Sequence, residues 1–388
     1  LLNLIFDGMK NKKLERFVYL DNNSTTPIKN EVVDKVAYYL KNHYANSSNS
    51  INTKGKKASE KLAEFRGKIA QLISANPNDI YFTSGSTESI NIAIKGLFEN
   101  NYQKHIITVK TEHSAVLETC EYLEKKGIQV TYLDVDTNGI IDIDQLEKNI
   151  RDNTILISIM VANNETGVIQ PIEKIAAIAK KYKILFMSDV TQAIGKIDFN
   201  YSLELIDILT FSSHKMYGPK GISALYLNNS AKNKIKPLIH GGGQENSIRS
   251  GTVNLPLIAG FAEACKFVGQ MVEKNEKEIF QLREYFESEI TNNFNVQING
   301  CSAERLPNTS NITFLDYDYE DIAFPLSDKI AFSNGSACKS SVIEPSHVLL
   351  SMGLDRAKAN SSVRFSFGIQ NTKEEVDYVL DLLKTKLC

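Results

Sequence analysis

Apolar and polar positions along this chain alternate in blocks that predict strands separated by helices. Short apolar runs, each long enough for one buried strand, occupy residues 80–83, 106–109, 129–133, 155–161, 184–187, 208–211 and 222–227. Alternating strands and helices are typical of a mostly parallel sheet covered by helices. In such folds the functional side chains collect at the carboxyl ends of the strands. We therefore predict an α/β fold whose central sheet has about seven strands.

Further elements are predicted on either side of this sheet. Before it come a short strand and two helices, at 18–20, 29–43 and 56–73. After it come a long amphipathic helix, two strands and a last helix, at about 255 onward, 311–314, 363–366 and 373–387. The pattern predicts an N-terminal arm, a large domain and a smaller α+β domain near which the arm packs, at 1–28, 29–254 and 255–388.

Composition places the chain among soluble globular enzymes. Its 388 residues are enough for a large and a small domain, and 42% of them are hydrophobic and 23% charged. The net charge of −2 gives no general electrostatic case for binding nucleic acid. No apolar run approaches the roughly 20 residues that span a bilayer. Met9 is a candidate start, so residues 1–8 are left out of the functional interpretation.

The five cysteines lack the paired spacing that metal sites show. They stand at positions 120, 265, 301, 338 and 388. The apolar stretch that opens the chain is also too short for a secretory signal. These observations favour free thiols in a reducing cytoplasm and no metal site.

The most informative segment is 211–221, where an apolar strand ends in a polar loop that carries His214 and Lys215. The Gly-Pro and Lys-Gly pairs that follow break regular structure, so Lys215 lies where the sheet opens onto a crevice. A lysine in that position can form a Schiff base with an aldehyde cofactor. Taken alone, Lys215 is more simply interpreted as one of the many solvated surface lysines.

Three more strand ends supply groups that match this lysine. Ser86 and Thr87 open a helix whose free N–H groups attract phosphate, His113 follows a strand, and Asp189 ends another. Each has a plainer interpretation as a helix cap or a surface group. Asp189 facing a ring nitrogen, Lys215 facing an aldehyde, and four residues facing a phosphate together indicate pyridoxal phosphate as the cofactor. The residues that would face the phosphate are Ser86, Thr87, Ser212 and His214.

The ordered motifs of the chain resemble those of the class V aminotransferase-fold enzymes, and within them the cysteine desulfurases of the nitrogen-fixation and iron-sulfur-cluster type. They are YLDNNSTTP (19–27), TSGSTES (83–89), TEH (111–113), NNETG (163–167), DVTQ (189–192), SSHKMYGPKG (212–221), RSGT (249–252), SNGSAC (333–338) and SVRFS (362–366). The resemblance runs nearly end to end. It implies a fold-type I enzyme that depends on pyridoxal phosphate. It also implies a homodimer in which Thr252 reaches the phosphate of the neighbouring subunit.

The resemblance also implies a role for each matching side chain. Lys215 would form the Schiff base, Asp189 would pair with the ring nitrogen, and Gln192 would donate to the ring hydroxyl. His113 would stack on the ring and act as an acid and base. The substrate carboxylate would lie on Asn164, which also counts as a cofactor residue, and on Arg364. An arginine suits that task because its planar fork donates two parallel hydrogen bonds.

Cys338 is the residue that distinguishes between the possible activities of enzymes with this fold. Small polar residues surround it, which suits an exposed loop, and the neighbouring Lys339 favours the thiolate. Cys120 and Cys265, in apolar helical patterns, are expected to be buried instead. The resemblance then implies a long mobile loop at about 332–345 and a persulfide on Cys338. The chain would convert L-cysteine to L-alanine and pass the sulfur to an acceptor or cluster-scaffold protein, for iron-sulfur cluster assembly or tRNA thiolation.

Two alternatives remain open at the level of sequence. One is another class V enzyme, a selenocysteine lyase or an aminotransferase, in which Cys338 is incidental or serves selenium. The other is a non-catalytic protein that keeps the fold to bind sulfur-transfer partners. The chain also departs from the family pattern at Met187 and Ser188, where a His two residues before the acid is common, and at Asn52, where His is usual.

Overall fold

The N-terminal part of the computed structural model leads from a short strand into two helices. The structure describes residues 16–99, 103–198, 205–334 and 344–387, with the side chains of 271–275 excepted. Strand β1 (Val18–Tyr19) is followed by helices α1 (Asn30–Asn42) and α2 (Thr53–Leu72). Asn52 caps α2, because its Oδ1 accepts the Gly55 N–H at 2.8 Å. The departure at this position therefore has a structural role.

A seven-stranded sheet forms the centre of the fold, as predicted. Its members are β2 (Ile80–Thr83), β3 (His105–Val109), β4 (Gln129–Leu133), β5 (Thr154–Ser158), β6 (Leu185–Asp189), β7 (Ile208–Ser212) and β8 (Ser223–Leu227). Their spatial order is β2-β8-β7-β6-β5-β3-β4. Only β8 runs antiparallel to its neighbours in this sheet. The prediction of a mostly parallel α/β fold is confirmed.

Helices cover both faces of this sheet. They are α3 (Ser86–Phe98), α4 (Ser114–Glu124), α5 (Ile143–Lys148), α6 (Ile172–Tyr182) and α7 (Asn229–Lys232). One apolar core centres on Phe186, Phe211 and Val161, and the core on the other face contains Met187 and Leu156. Met187 is therefore a core residue. Its neighbour Ser188 donates to the Ile159 carbonyl at 2.7 Å, so both departures in this strand serve packing.

The apolar run predicted as one strand at 155–161 is only partly a strand. β5 ends at Ser158, although Ile159, Met160 and Val161 remain buried. The N–H of Met160 donates to the side chain of Glu112 at 2.6 Å, so the ladder is interrupted on the side away from β6, whereas the Ile159 and Val161 N–H groups still donate to β6. Apolarity alone predicts burial and cannot show where a ladder hydrogen bond is replaced by one to a side chain.

A 39-residue helix, α8 (Leu255–Asn293), runs from the large sheet's core to a second core. Asn254 caps it by accepting the Leu257 N–H, and Pro256 lies in its first turn, where no N–H partner is needed. Phe261 near its start packs into the first core, whereas Phe286 near its end belongs to the second. None of the helices in the described part of the chain combines the length and apolar composition needed to cross a bilayer.

The second core lies under a small antiparallel sheet of order β12-β10-β9. Its strands are β9 (Val296–Ile298), β10 (Thr309–Phe314) and β12 (Ser362–Ser366), and β11 (Ile330–Ala331) pairs in parallel with β1. The helices here are α9 (Tyr319–Leu326), α10 (His347–Ser351), α11 (Arg356–Asn360) and α12 (Lys373–Leu387). Val18 and Leu20 of the N-terminal segment are buried in this core. The domain limits at 28/29 and 254/255 stay a prediction.

Candidate active site

A cavity of about 600 Å³ opens at the carboxyl ends of β6 and β7, beside the start of α3. This size is typical of sites for small ligands. The register that sets Asp189 of β6 opposite Thr210 of β7 brings the two strand ends level. The predicted residues that line the cavity are Ser86, Thr87, His113, Asn164, Asp189, Gln192, Ser212, His214, Lys215 and Arg364.

Lys215 lies in a single 3-10 turn, Ser213–Lys215, directly after β7. Its Nζ donates to the backbone carbonyl oxygens of Asn23 at 2.5 Å and Ser24 at 2.7 Å. The turn is closed by Gly218, where a Cβ would lie only 2.0 Å from the Ser213 Oγ. The sequence thus folds a lysine into the cavity over a turn that admits no side chain at position 218.

The start of α3 is built to receive an anion. Its N-cap is Gly85, which has no side chain to satisfy the first N–H groups of the helix. The Ser86 N–H donates to Ser212 Oγ at 3.1 Å, and Ser86 Oγ lies 2.8 Å from Thr191 Oγ1. A helix start with a cluster of hydroxyl groups favours phosphate. The plainer interpretation of Ser86 as the cap is therefore wrong.

His214 is neutral at the same end of the cavity. Burial, and after it the nearby Lys215 cation, lowers its pKa to about 4. Its Nδ1 lies 3.1 Å from Thr25 Oγ1. A neutral imidazole with one nitrogen engaged presents its other nitrogen as a hydrogen-bonding group without adding charge.

Asp189 and Gln192 stand at the end of β6. One carboxylate oxygen of Asp189 accepts the Thr191 N–H at 2.9 Å, so the residue also stabilises its own turn. Gln192 Nε2 donates to the Asn23 carbonyl at 3.0 Å. Asp189 thus lines the cavity and closes a turn, and in the described part of the chain no helix begins directly after it for it to cap.

His113 is the N-cap of α4, and its Nδ1 accepts the Ala115 N–H at 3.1 Å. This contact leaves the proton of the neutral ring on Nε2. Burial lowers the pKa of His113, Asp189 acts in the opposite direction, and the Lys215 cation lowers it again. We therefore assign a neutral imidazole to this side of the cavity at pH 7.

Arg364 of β12 closes the cavity from the smaller sheet. Its Nη1 donates to the Asn164 carbonyl at 3.0 Å, and its Nη2 donates to Asp21 Oδ1 and Ser24 Oγ, both at 2.7 Å. Its Nε is buried and has no hydrogen-bond partner among the described residues. A guanidinium fixed in one plane with unused donor capacity suits a carboxylate ligand.

Two buried acids behind the cavity carry no role in the sequence motifs. Burial raises the pKa of Glu112 well above its usual value, and the Asp189 charge raises it further. Burial likewise raises the pKa of Glu165, whose Oε2 accepts the Ser346 hydroxyl. His347 lies 2.9 Å, through its Nε2, from the Glu112 carbonyl oxygen. The segment at 346–347 is thus attached to the TEH and NNETG motifs.

Thr252 does not line this cavity and is exposed on the surface. Cys338 is outside the described residues, as is much of the predicted loop at 332–345. The residues that sequence reasoning missed include Asn23, Ser24, Thr25 and Thr191, which all line the cavity. The signal for the first three is the motif at 19–27, which resembles the family motif as a whole and implies no role for its single side chains.

The chain matches the aminotransferase class-V family over residues 18–379. It belongs to this family. Its relatives include the cysteine desulfurase IscS of Dictyoglomus turgidum, 44% identical over 96% of this chain and 94% of that protein. The mitochondrial cysteine desulfurase of Saccharomyces cerevisiae is 41% identical over 96% of this chain and 75% of that protein.

Solved structures show the same fold. A NifS-like protein superposes with a TM-score of 0.89 at 37% identity, over 96% of this chain and 99% of its own. A protein described as SspA in complex with cysteine superposes with a TM-score of 0.81 at 36% identity, over 90% of this chain and 98% of its own. The expected family and fold are therefore confirmed.

Pyridoxal phosphate is the cofactor of this family, and the residues present fit it. The uncapped start of α3 with its hydroxyl groups matches a phosphate, and the acid at the end of β6 matches a protonated ring nitrogen. The amine of Lys215 shares this cavity with both. These residues are thus complementary to the phosphate, the ring nitrogen and the aldehyde of the cofactor.

Proposed function

We propose that this protein is a cysteine desulfurase that releases sulfur from L-cysteine and leaves L-alanine. The observation that carries the proposal is that Lys215, Asp189 and Arg364 line one cavity. The cysteine desulfurases among its relatives, aligned over nearly the whole chain, support the substrate. So does the superposition on the SspA complex with cysteine.

The described residues suit four tasks in this reaction. Arg364 and Asn164 bind and orient the substrate carboxylate at one end of the cavity. When bound, pyridoxal phosphate withdraws electrons from the Cα of an amino acid. Lys215 Nζ then accepts the Cα proton, and neutral His113 holds or returns a proton near the substrate thiol. Asp189 places its carboxyl group at the cavity wall, where it would pair with a protonated heterocycle.

Cys338 takes the sulfur in this proposal. Its thiolate attacks the substrate Sγ, a sulfur–sulfur bond forms, and the substrate carbon–sulfur bond breaks. The electron pair of the broken carbon–sulfur bond stays on the carbon, which takes up a proton. The organic product is therefore alanine, and the enzyme carries a persulfide. We propose that an acceptor or cluster-scaffold protein then receives this sulfur. The free thiols of Cys120, Cys265 and Cys301 fit a reducing compartment such as the cytoplasm.

The deciding experiment is a pair of variants with a matched cysteine control. We expect Cys338→Ala to bind pyridoxal phosphate normally and to release almost no alanine from cysteine. Cys301→Ala, which removes an exposed thiol, should retain full activity. Lys215→Ala should lose turnover and the borohydride-reducible bond to the cofactor. Full alanine formation by Cys338→Ala would reject the nucleophile, and alanine without matching sulfide would point to a different class V reaction.

We also propose that the enzyme is a homodimer in which Thr252 completes the partner's site. Thr252 is exposed and, among the described residues, is not part of the lining of the cavity in its own chain. The segment from α1 to the start of α2 also carries exposed apolar residues. They include Leu40, Tyr44 and Ile51, which are 63%, 71% and 90% exposed. Exposed apolar residues of this size are typical of an interface.

Subunit mixing tests this arrangement. We expect Lys215→Ala and Thr252→Val each to be weak alone at limiting cofactor, and their mixture to regain activity after subunit exchange. In the mixed dimer one site has both an intact lysine and an intact threonine from the partner. A mixture no more active than the sum of its parts would reject the role of Thr252. A monomer by sedimentation would reject the dimer.

A further inference from the structure

A second lysine, Lys196, lies behind the cavity and contacts one of its walls. Its Nζ donates to Gln192 Oε1 at 2.5 Å and to Asn23 Oδ1 at 2.8 Å. Among the described residues, Lys196 is not part of the lining of the large cavity, whereas Gln192 and Asn23 are. Lys196 therefore acts on any ligand in the cavity through these two side chains.

The contact with Lys196 determines which end of the Gln192 amide can serve a ligand. The oxygen of the amide faces the Lys196 head group, which donates a hydrogen bond to it. The nitrogen then faces the Asn23 carbonyl, 3.0 Å away. If the amide were reversed, its nitrogen would face the donor Lys196 and its oxygen would face another oxygen. Nε2 carries two hydrogens and Asn23 needs only one, so a donor remains for the cavity.

The surroundings of Lys196 fit this task whether or not the amine is charged. Burial lowers its pKa well below the usual value, and the Lys215 and Arg364 cations lower it further. A neutral amine has two N–H bonds, and two oxygens accept from Lys196. Asn23 Oδ1 also accepts from Asn308 Nδ2 at 3.0 Å, so the removal of Lys196 leaves that oxygen with a donor. Gln192 Oε1 is the oxygen that depends on Lys196.

We propose that Lys196 is a positioning residue that keeps the Gln192 amide turned with its N–H toward the ring hydroxyl of pyridoxal phosphate. This inference rests on the proposed function and on the expected contact between Gln192 and that hydroxyl. Lys196 touches neither cofactor nor substrate. Its effect should therefore appear in how strongly the protein distinguishes cofactors with and without the hydroxyl, rather than in cofactor binding as a whole.

The test compares binding of two cofactors by the full-length apoprotein. The dissociation constants of pyridoxal phosphate and of 3-deoxypyridoxal phosphate, which lacks the ring hydroxyl, are measured for the wild type, Gln192→Ala, Lys196→Met and Lys174→Met. Lys174 is an exposed lysine on α6 and serves as the matched control. For each protein the preference is the dissociation constant of 3-deoxypyridoxal phosphate divided by that of pyridoxal phosphate. Dividing by the Gln192→Ala preference removes any bias that is intrinsic to the cofactors.

We expect the wild type and Lys174→Met to exceed Gln192→Ala in preference by about tenfold, as one hydrogen bond to an anionic oxygen would give. Lys196→Met should fall to within about threefold of Gln192→Ala. If Lys196→Met does not fold, Lys196→Gln, whose side chain is too short to bridge both oxygens, is expected to show the same loss.

A wild-type preference in the Lys196 variants, with both cofactors weakened alike, would overturn the inference. So would equal preferences in the wild type and Gln192→Ala, whereas failure of the wild type to bind pyridoxal phosphate would overturn the proposed function.

Discussion

Arg364 Nη2 lies 2.7 Å from Asp21 Oδ1, and the two side chains are only 4% and 18% exposed. The pair joins β12 to the segment after β1, so the guanidinium that lines the cavity is held by a carboxylate from the other end of the chain. Since Nη1 is held by the Asn164 carbonyl, the plane of the guanidinium is fixed on two sides. The orientation of Arg364 is thus set before a substrate arrives.

Lysine in place of Arg364 should therefore weaken substrate binding while cofactor binding is kept. Arg364→Lys can still pair with Asp21, but it loses the planar fork that a carboxylate needs. The loss of one charge-assisted hydrogen bond, about 1.5–3 kcal/mol, should raise the KM for cysteine by roughly 10- to 100-fold. Steady-state kinetics at saturating pyridoxal phosphate measure this. An unchanged KM would place the substrate carboxylate elsewhere.

The lowered pKa of His113 predicts where activity falls on acidification. The groups that face it are Asp189, which raises its pKa, and Lys215 and His347, which lower it, but burial is the largest cause. The neutral imidazole therefore persists below pH 6.5, its ordinary pKa. We expect the acidic limb of kcat/KM to have its midpoint below that value. The rate of His113→Gln, followed from pH 5 to 8, should be low and lack this limb; a variant that keeps the limb would assign it to another group.

The strand pattern predicted the location of the site because neighbouring parallel strands end at one edge. Asp189 and Ser212 end β6 and β7, which pair directly, so their proximity follows from order along the chain. Local context also placed His113 and Ser86 at strand-to-helix turns. These are properties of residues close in sequence, and the alternation of apolar runs is enough to position them.

The contacts of Asn23 could not be predicted in that way. Its Nδ2 donates to Thr309 Oγ1, 286 positions further along the chain, at 2.9 Å. Its backbone carbonyl accepts from Lys215 and Gln192. Such contacts depend on how the N-terminal segment lies between the two sheets, and no local period encodes that arrangement. The same reason applies to Lys196, because one of its two acceptors, Asn23, lies 173 positions away along the chain.

A buried ion pair should contribute strongly to stability beside the segment that leads to Thr252. Both oxygens of Glu245 accept from Arg66, at 2.6 and 2.8 Å, and one also accepts the Phe82 N–H. The pair holds a turn in which residues 245–247 have positive φ angles of 50°, 52° and 65°. Glu245→Gln leaves Arg66 without its countercharge, so we expect a loss of about 3 kcal/mol and a clearly lower Tm.

The exposed Glu64, which pairs with both Lys61 and Lys68, is the control for this effect. Its side chain is 40% exposed and those of the two lysines are 42% exposed, and exposed pairs contribute about 0–1 kcal/mol each. Glu64→Gln should therefore leave Tm nearly unchanged in the same scan. Equal shifts for the two variants would mean that the buried pair has no special role.

The last prediction concerns His105, at the end of β3 remote from the cavity. Its ring nitrogens lie 2.8 Å from Thr154 Oγ1 and 2.9 Å from Thr131 Oγ1, and it is fully buried. Burial lowers its pKa from 6.5 to about 4. Above pH 6.5 the ring is neutral in both the folded and unfolded chains. Between pH 6.5 and 4 only the unfolded chain binds the proton, so stability must fall as the pH is lowered.

His105→Gln should lower the number of protons taken up on unfolding in this pH range by up to one, because glutamine does not titrate. The measurement is the thermal midpoint between pH 4 and 7.5, with His240→Gln as a control at an exposed histidine. His214 also titrates near pH 4, so part of the dependence should remain in His105→Gln. If the two variants keep the same slope as the wild type, the folded protein must bind a proton at His105 as readily as the unfolded chain does.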